Sequence, residues 1–191
     1  MRRVLRLVCV AACAGGAMTL GAPQSMMAQG ADGPTYLRLI DRLDRPADGY
    51  CLDVLGAGGT YRTDLPVNAH NCKPGTAPDG VVMLGADGTL RFPAFDACLT
   101  AFGVNRGALP GSAVLLRPCG ATEPFLPTAE LQRWDLDGDG RMMLEGSALR
   151  LAVGPQSART FGARDRWRAL FLADCATVPA TRARWELAPA G

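Results

Sequence analysis

Cys51-Leu52-Asp53-Val54, answered by Cys72, and Cys98-Leu99-Thr100-Ala101, answered by Cys119, are one pattern written twice with the same 21-residue spacing. A third pass, Arg150-Leu151-Ala152-Val153, keeps the apolar rhythm but puts Arg where the cysteine stood, and Cys175 closes it at a spacing of 25. Self-similarity at a period of about 50 residues sets the architecture before any single element is assigned. Between the cysteine pairs the chain reads as short strands and tight turns. Val81-Val82-Met83-Leu84, Ala86-Asp87-Gly88 and Thr89-Leu90-Arg91-Phe92 form an apolar run, an Asp-Gly turn and a second run, which is a hairpin signature. Gln132 to Leu136, Asp137 to Gly140 and Arg141 to Leu144 repeat it. Arg184-Trp185-Glu186-Leu187 supplies the first half of that unit at the end of the chain, and Tyr36 to Ile40 at the beginning is expected to pair with it. Apolar residues stand five and three places ahead of each closing cysteine: Val67 and Ala69, Val114 and Leu116, Leu170 and Leu172. That alternation predicts a strand with one buried face. With 14 Pro, 23 Gly and no long helical periodicity after the leader, the expected fold class is all-β. Three imperfect repeats of four strands argue for a closed threefold barrel, which leaves no bare sheet edge.

Residues 1–28 read as a secretory signal peptide. Arg2, Arg3 and Arg6 precede an apolar, small-residue stretch from Leu7 to Ala22, Met26-Met27-Ala28 offers a cleavage end, and no acid occurs before Asp32. The apolar run is short and Gly-interrupted for a membrane span. Val10-Ala11-Ala12-Cys13 resembles a lipobox, which makes lipid anchoring through Cys13 the minor alternative. Residues 29–34 are a lead-in, and 35–191 form the domain. Without the leader the balance is 17 basic to 18 acidic residues, so the net positive charge of the full chain gives no argument for nucleic acid as a partner. In an oxidising compartment Cys51–Cys72 and Cys98–Cys119 are the natural disulfides, each contributing about 3 kcal/mol on the loop-entropy model. Cys175 falls outside both pairs and reads as a buried thiol in a decayed repeat. The expected address is secreted or periplasmic, with no transmembrane segment in the mature chain.

With the repeats in register, the sequence resembles the ricin B-type β-trefoil lectins. That family carries a Gln-x-Trp motif near the end of each lobe and a Cys-Leu-Asp-Val-like segment linked to a second cysteine within the lobe. Gln132-Arg133-Trp134 is a full Gln-x-Trp; Ala183-Arg184-Trp185 keeps the Trp, and Gly80-Val81-Val82 has neither residue. The resemblance spans about residues 35–188 and implies a β-trefoil, with the Trp residues in the core and the Gln fixing local backbone. It also implies a sugar site built from the Asp of the Cys-x-Asp segment, an aromatic residue two places before the second cysteine and an Asn just ahead of the Gln-x-Trp. Carried over by position, the first lobe offers Asp53, His70 and Asp79, and Tyr61 on the preceding loop is a candidate stacking platform. The second lobe offers Thr100, Arg117 and Leu131, and the third Ala152 and Ala173, which cannot do this work.

Other signals compete. Asp135-Leu136-Asp137-Gly138-Asp139-Gly140 matches the start of an EF-hand loop, but the twelfth place falls on Gly146, and a hairpin turn explains the segment as well. Neither a metal site nor a cofactor is expected. Arg164, Arg166 and Arg168 around Trp167 form a basic strip, read as a solvated strand face or as a partner surface. His70 is the only His, and no motif singles out a nucleophile or a carboxylate pair, so an enzyme is not expected. The expected function is an exported carbohydrate-binding module with at most one sugar site, in the first lobe, taking a glycan as its partner. The alternative is a degenerate trefoil acting as a protein-interaction or structural module, alone or as a subunit of a larger exported or toxin-like assembly.

Overall fold

A computed structural model describes residues 33–191, apart from 124, 125 and 128. The signal peptide and the lipidation of Cys13 lie outside the described residues. Twelve main strands fall four to a lobe. The first lobe holds β1 (Thr35–Leu39), β2 (Tyr50–Asp53), β3 (Asn68–Asn71) and β4 (Val81–Leu84). The second holds β5 (Leu90–Phe92), β6 (Ala97–Ala101), β7 (Val114–Pro118) and β8 (Trp134–Leu136). The third holds β9 (Met142–Leu144), β10 (Leu149–Val153), β11 (Arg166–Asp174) and β12 (Trp185–Pro189).

The outer strands of the lobes close the barrel. β1 pairs with β12 across the chain termini and with β4, β4 with β5, and β8 with β9. The joints between lobes are narrow and repeat each other: the Trp134 amide donates to the Gly88 carbonyl at 2.7 Å, and the Trp185 amide to that of Gly140 at 2.6 Å. Gly88 and Gly140 both have positive φ, and a Cβ at either would stand 3.0 Å or less from the facing Trp carbonyl, so glycine is required there. The inner strands form three hairpin caps, β2 with β3, β6 with β7 and β10 with β11. This is the closed threefold barrel that the repeat predicts, in the β-trefoil form that the family resemblance implies.

One core runs through all three lobes, with Leu37, Leu52, Phe92, Leu99, Leu151 and Leu172 among its buried members. Burying a side chain of that size is worth about 1.5–3 kcal/mol relative to leaving it in water. Trp134 and Trp185 are core residues, and each indole Nε1 donates to a strand carbonyl, of Leu99 at 2.9 Å and of Leu151 at 3.0 Å. Val82 occupies the equivalent place in the first lobe, also fully buried.

The disulfides Cys51–Cys72 and Cys98–Cys119 are both formed. After each closing cysteine a loop must be tied back to the barrel, and each lobe does so differently. In the second lobe Gln132 accepts from the Gly120 amide at 2.8 Å and donates to the Pro118 carbonyl and to Thr100 Oγ1, both at 3.0 Å. In the first lobe Gly80 replaces that glutamine. A Cβ there would lie 2.8 Å from the Tyr36 ring, whose hydroxyl donates to the Gly75 carbonyl and accepts from the Ala77 amide, both at 2.7 Å. In the third lobe Ala183 replaces it, and buried Arg150 donates to the carbonyls of Cys175 and Val178. Arg150 thus stands in for a cysteine in sequence and for a glutamine in structure.

Candidate functional site

β2 ends on Asp53, and the chain returns beside it at Asp79 because the Val54 amide donates to the Asp79 carbonyl at 2.9 Å. Both carboxylates are buried, at 5% and 4% exposure. Lys73, held next to the Cys51–Cys72 bridge, places its ammonium between them: Nζ donates to Asp53 Oδ2 at 2.7 Å and also to Asp79 Oδ2. His70 is half-buried on β3, directly opposite Cys51, with its Nδ1 3.1 Å from the carbonyl of Asn71. The structure therefore brings Asp53, His70 and Asp79 into one region, and adds Lys73 at its centre.

One ammonium serves two carboxylates, so the cluster is short of a positive charge. Burial raises the Asp53 carboxyl, and neighbouring Asp79 adds to it against the pull of Lys73, leaving Asp53 pushed up to about 7. Burial works against the Lys73 ammonium, but Asp53 and Asp79 outweigh it and hold Lys73 above the ordinary lysine value. Burial also lowers the His70 imidazole, with the Lys73 charge acting in the same direction against the Asn71 carbonyl, which favours the neutral ring as a partner for uncharged hydroxyls.

The cluster opens into a pocket of about 200 Å³. Its near wall comes from the first lobe, through Asp53, Gly56, Asn68, His70 and Lys73. Its far wall comes from the third, through Thr160, Phe161, Asp165 and Trp167. The pairing of β3 with β11 sets this up: Trp167 sits in register with His70. Two aromatic faces thus border the polar cluster, Trp167 at 39% exposure and Phe161 fully exposed. Asn68 Oδ1 is buried with no hydrogen-bond partner among the described residues. Arranged this way, the pocket offers acceptors, an ammonium donor and apolar ring faces, the combination that a polyhydroxylated ring with one apolar side requires.

Two expectations are corrected here, and the hairpin-turn reading of a third segment is borne out. Tyr61 turns away from the pocket and packs edge-on against Phe95 at 5.3 Å, with both rings against the main core. The basic strip is not one solvated face, because Arg168 is buried: it donates to Asp44 Oδ1 at 2.6 Å and to the Gly154 carbonyl at 2.8 Å, 5.0 Å from the centre of the Tyr50 ring. In the segment like an EF-hand, Asp137 accepts from the amides of Asp139 and Arg141, both at 2.9 Å, and from Arg141 Nε at 2.7 Å, which makes it a turn. Among the described residues no group of three or more His, Cys, Asp or Glu is placed to hold a metal ion.

Lys73, Asn68, Phe161 and Trp167 were not among the site residues read from the sequence. Two of them leave a trace there. Lys73 is the single lysine in a chain that otherwise uses arginine, and a compact ammonium fits between two carboxylates where a guanidinium fork does not. Trp167 is the one Trp of three that lies outside the Gln-x-Trp register.

Solved structures of the same architecture include β-trefoil lectins. The agglutinin from Abrus precatorius matches with a TM-score of 0.58 at 21% identity, over 86% of this chain and 51% of that one, so the chain spans about half of that relative's length. The β-trefoil lectin of the Vibrio vulnificus hemolysin/cytolysin, solved with N-acetyl-D-lactosamine bound, matches with a TM-score of 0.51 at 20% identity over 83% and 96% of the two chains. A designed threefold-symmetric protein, ThreeFoil, matches with a TM-score of 0.55 at 19% identity over 82% and 99%. No family model and no curated protein matches the sequence. At these identities the likeness establishes the fold: this is a β-trefoil of the kind found in ricin-type lectins. Among the described residues no helix is long and apolar enough to cross a membrane.

Proposed function

We propose that the chain is an exported, lectin-like carbohydrate-binding module with a single sugar site in its first lobe. The observation that carries this reading is the cluster of Asp53, Asp79 and Lys73 opening into a pocket walled by His70 and Trp167. In the ionised form Asp53 accepts from adjacent sugar hydroxyls, Lys73 donates to a ring or hydroxyl oxygen, and Trp167 stacks on the apolar face of the sugar. The two disulfides and the lectin neighbours support an extracellular setting. N-acetyl-D-lactosamine and GalNAc, the ligands named for the Vibrio and earthworm lectin structures, are the first probes to try. A single small pocket of this size binds a monosaccharide with a dissociation constant on the order of millimolar, so multivalent display is the appropriate assay. On a glycan array the oxidised wild-type chain is expected to retain a subset of glycans, and Asp53→Ala to retain none while melting cooperatively. Retention by Asp53→Ala equal to wild type, or no retention by the wild type, would overturn the assignment.

A further inference from the structure

The polar pocket runs into a second, larger hollow of about 1010 Å³ at the end of the molecule where the hairpin caps converge. Leu55, Asn68, Thr160, Phe161 and Trp167 line both. Past this seam the walls turn apolar, with Leu65, Val67, Ala169 and Phe171. Leu55, Phe161 and Trp167, three of the large apolar side chains exposed to solvent, converge on the seam itself. Exposed apolar groups gathered at one place mark a binding surface, whereas scattered ones need no explanation.

We infer that this trough receives the alkyl aglycone of a glycoside whose sugar lies beside Asp53, so that the full ligand is an amphiphilic glycolipid-like molecule. The inference rests on the proposed sugar site. Three observations favour a hydrocarbon occupant. First, the trough is continuous with the polar pocket, and Asn68, with its unpartnered buried oxygen, marks the boundary between them. Second, β11 offers little free edge for a peptide strand: one side meets β10 at Leu170–Asp174, the Gly154 amide at Ala169 and Ala158–Arg159 at Arg166–Trp167, and the other meets β3 at Trp167–Ala169 and Ser112–Ala113 at Phe171 and Leu172. Third, beyond the seam the lining supplies few polar side chains, chiefly Arg159. A peptide laid there would leave amide groups unpaired, at about 1–3 kcal/mol each, whereas an alkyl chain has none to satisfy.

The test is titration calorimetry of the full oxidised domain with methyl, butyl and octyl β-D-galactosides, below their micelle-forming concentrations. Half-burial of each methylene gives about a twofold gain, hence on the order of 100-fold from methyl to octyl. Ala169→Glu puts a charge on an exposed position that lines the trough but not the polar pocket. It should leave methyl galactoside affinity unchanged and remove the chain-length gain, while Asp53→Asn should weaken every member of the series. Methyl binding with no gain on lengthening the chain would overturn the inference and leave the sugar site standing. Octyl binding indifferent to Asp53→Asn would overturn both. A flat series from a wild type that dimerises in sedimentation, when Ala169→Glu does not, would assign the trough to a second copy of the chain and also overturn the inference.

Discussion

The first and second lobes share a hairpin cap, a disulfide of identical spacing and a pinned loop, yet one of the positions at which the corresponding strands β2 and β6 differ decides what each lobe offers. In the first lobe it is Asp53, whose carboxylate meets Lys73 at the mouth of a pocket. In the second it is Thr100, whose hydroxyl accepts from the staple residue Gln132 and donates to the Cys98 carbonyl at 3.0 Å, so its hydrogen-bonding capacity is used within the fold. A scaffold of fixed geometry can thus direct the same position outward or inward, depending on which residue ties down the neighbouring loop. Tyr36 ties it in the first lobe and leaves Asp53 lining the pocket; Gln132 ties it in the second and engages the equivalent site itself.

The largest expected effect that separates the lobes is in the pH dependence of stability. Asp53 titrates near 7 folded and near 3.9 unfolded, so between these values the folded chain holds the extra proton. The stabilisation associated with it is complete below about pH 4 and is lost as pH rises through 7, on the order of 4 kcal/mol in all. Denaturant titrations from pH 4 to 8 should show this slope in the wild type and in Thr100→Ala, and lose it in Asp53→Asn. The bridges test the frame of the comparison. Cys98→Ala with Cys119→Ala should cost about 3 kcal/mol and leave glycan retention intact, whereas Cys51→Ala with Cys72→Ala should cost as much and also release Lys73, abolishing retention. Next, Gln132→Ala strips three hydrogen bonds from the second lobe, for a loss of about 2 kcal/mol in chemical denaturation with no change in binding. Smallest is Trp167→Ala, which should weaken sugar binding by up to about tenfold, the size of an aromatic stacking contribution, while melting temperature stays nearly constant.

The sequence carried the fold well because its markers are local. Cysteine spacing, Asp-Gly turns and period-two strands each report on a few adjacent residues, and their threefold recurrence fixes the barrel. The pairing of Tyr36–Ile40 with the terminal strand could be read from the half-units at the two ends. The site was only half legible. Asp53, His70 and Asp79 belong to one repeat and could be found by superposing repeats. Trp167 and Phe161 reach the pocket through the β3–β11 pairing, a contact between lobes that no pattern within a lobe encodes. Tyr61 misled for a related reason: proximity along the chain placed it near the site, but the Phe95 ring and the core offered it a better-packed position. The tripled staple was hidden as well, since Gln132, Tyr36 and Arg150 do one job from three different sequence positions.

The lobes are asymmetric at one matched position: Asp53 of the first lobe lines a pocket beside Lys73, whereas Thr100 of the second is bonded within the fold. Amide chemical shifts of the isotope-labelled, oxidised domain, followed during titration with N-acetyl-D-lactosamine, test this residue by residue. Shifts confined to Asp53–Ala57, Asn68–Lys73, Asp79 and Thr160–Trp167 are predicted, saturating as a single site. Shifts centred on Thr100 and Arg117, or spread equally over the three lobes, would contradict it.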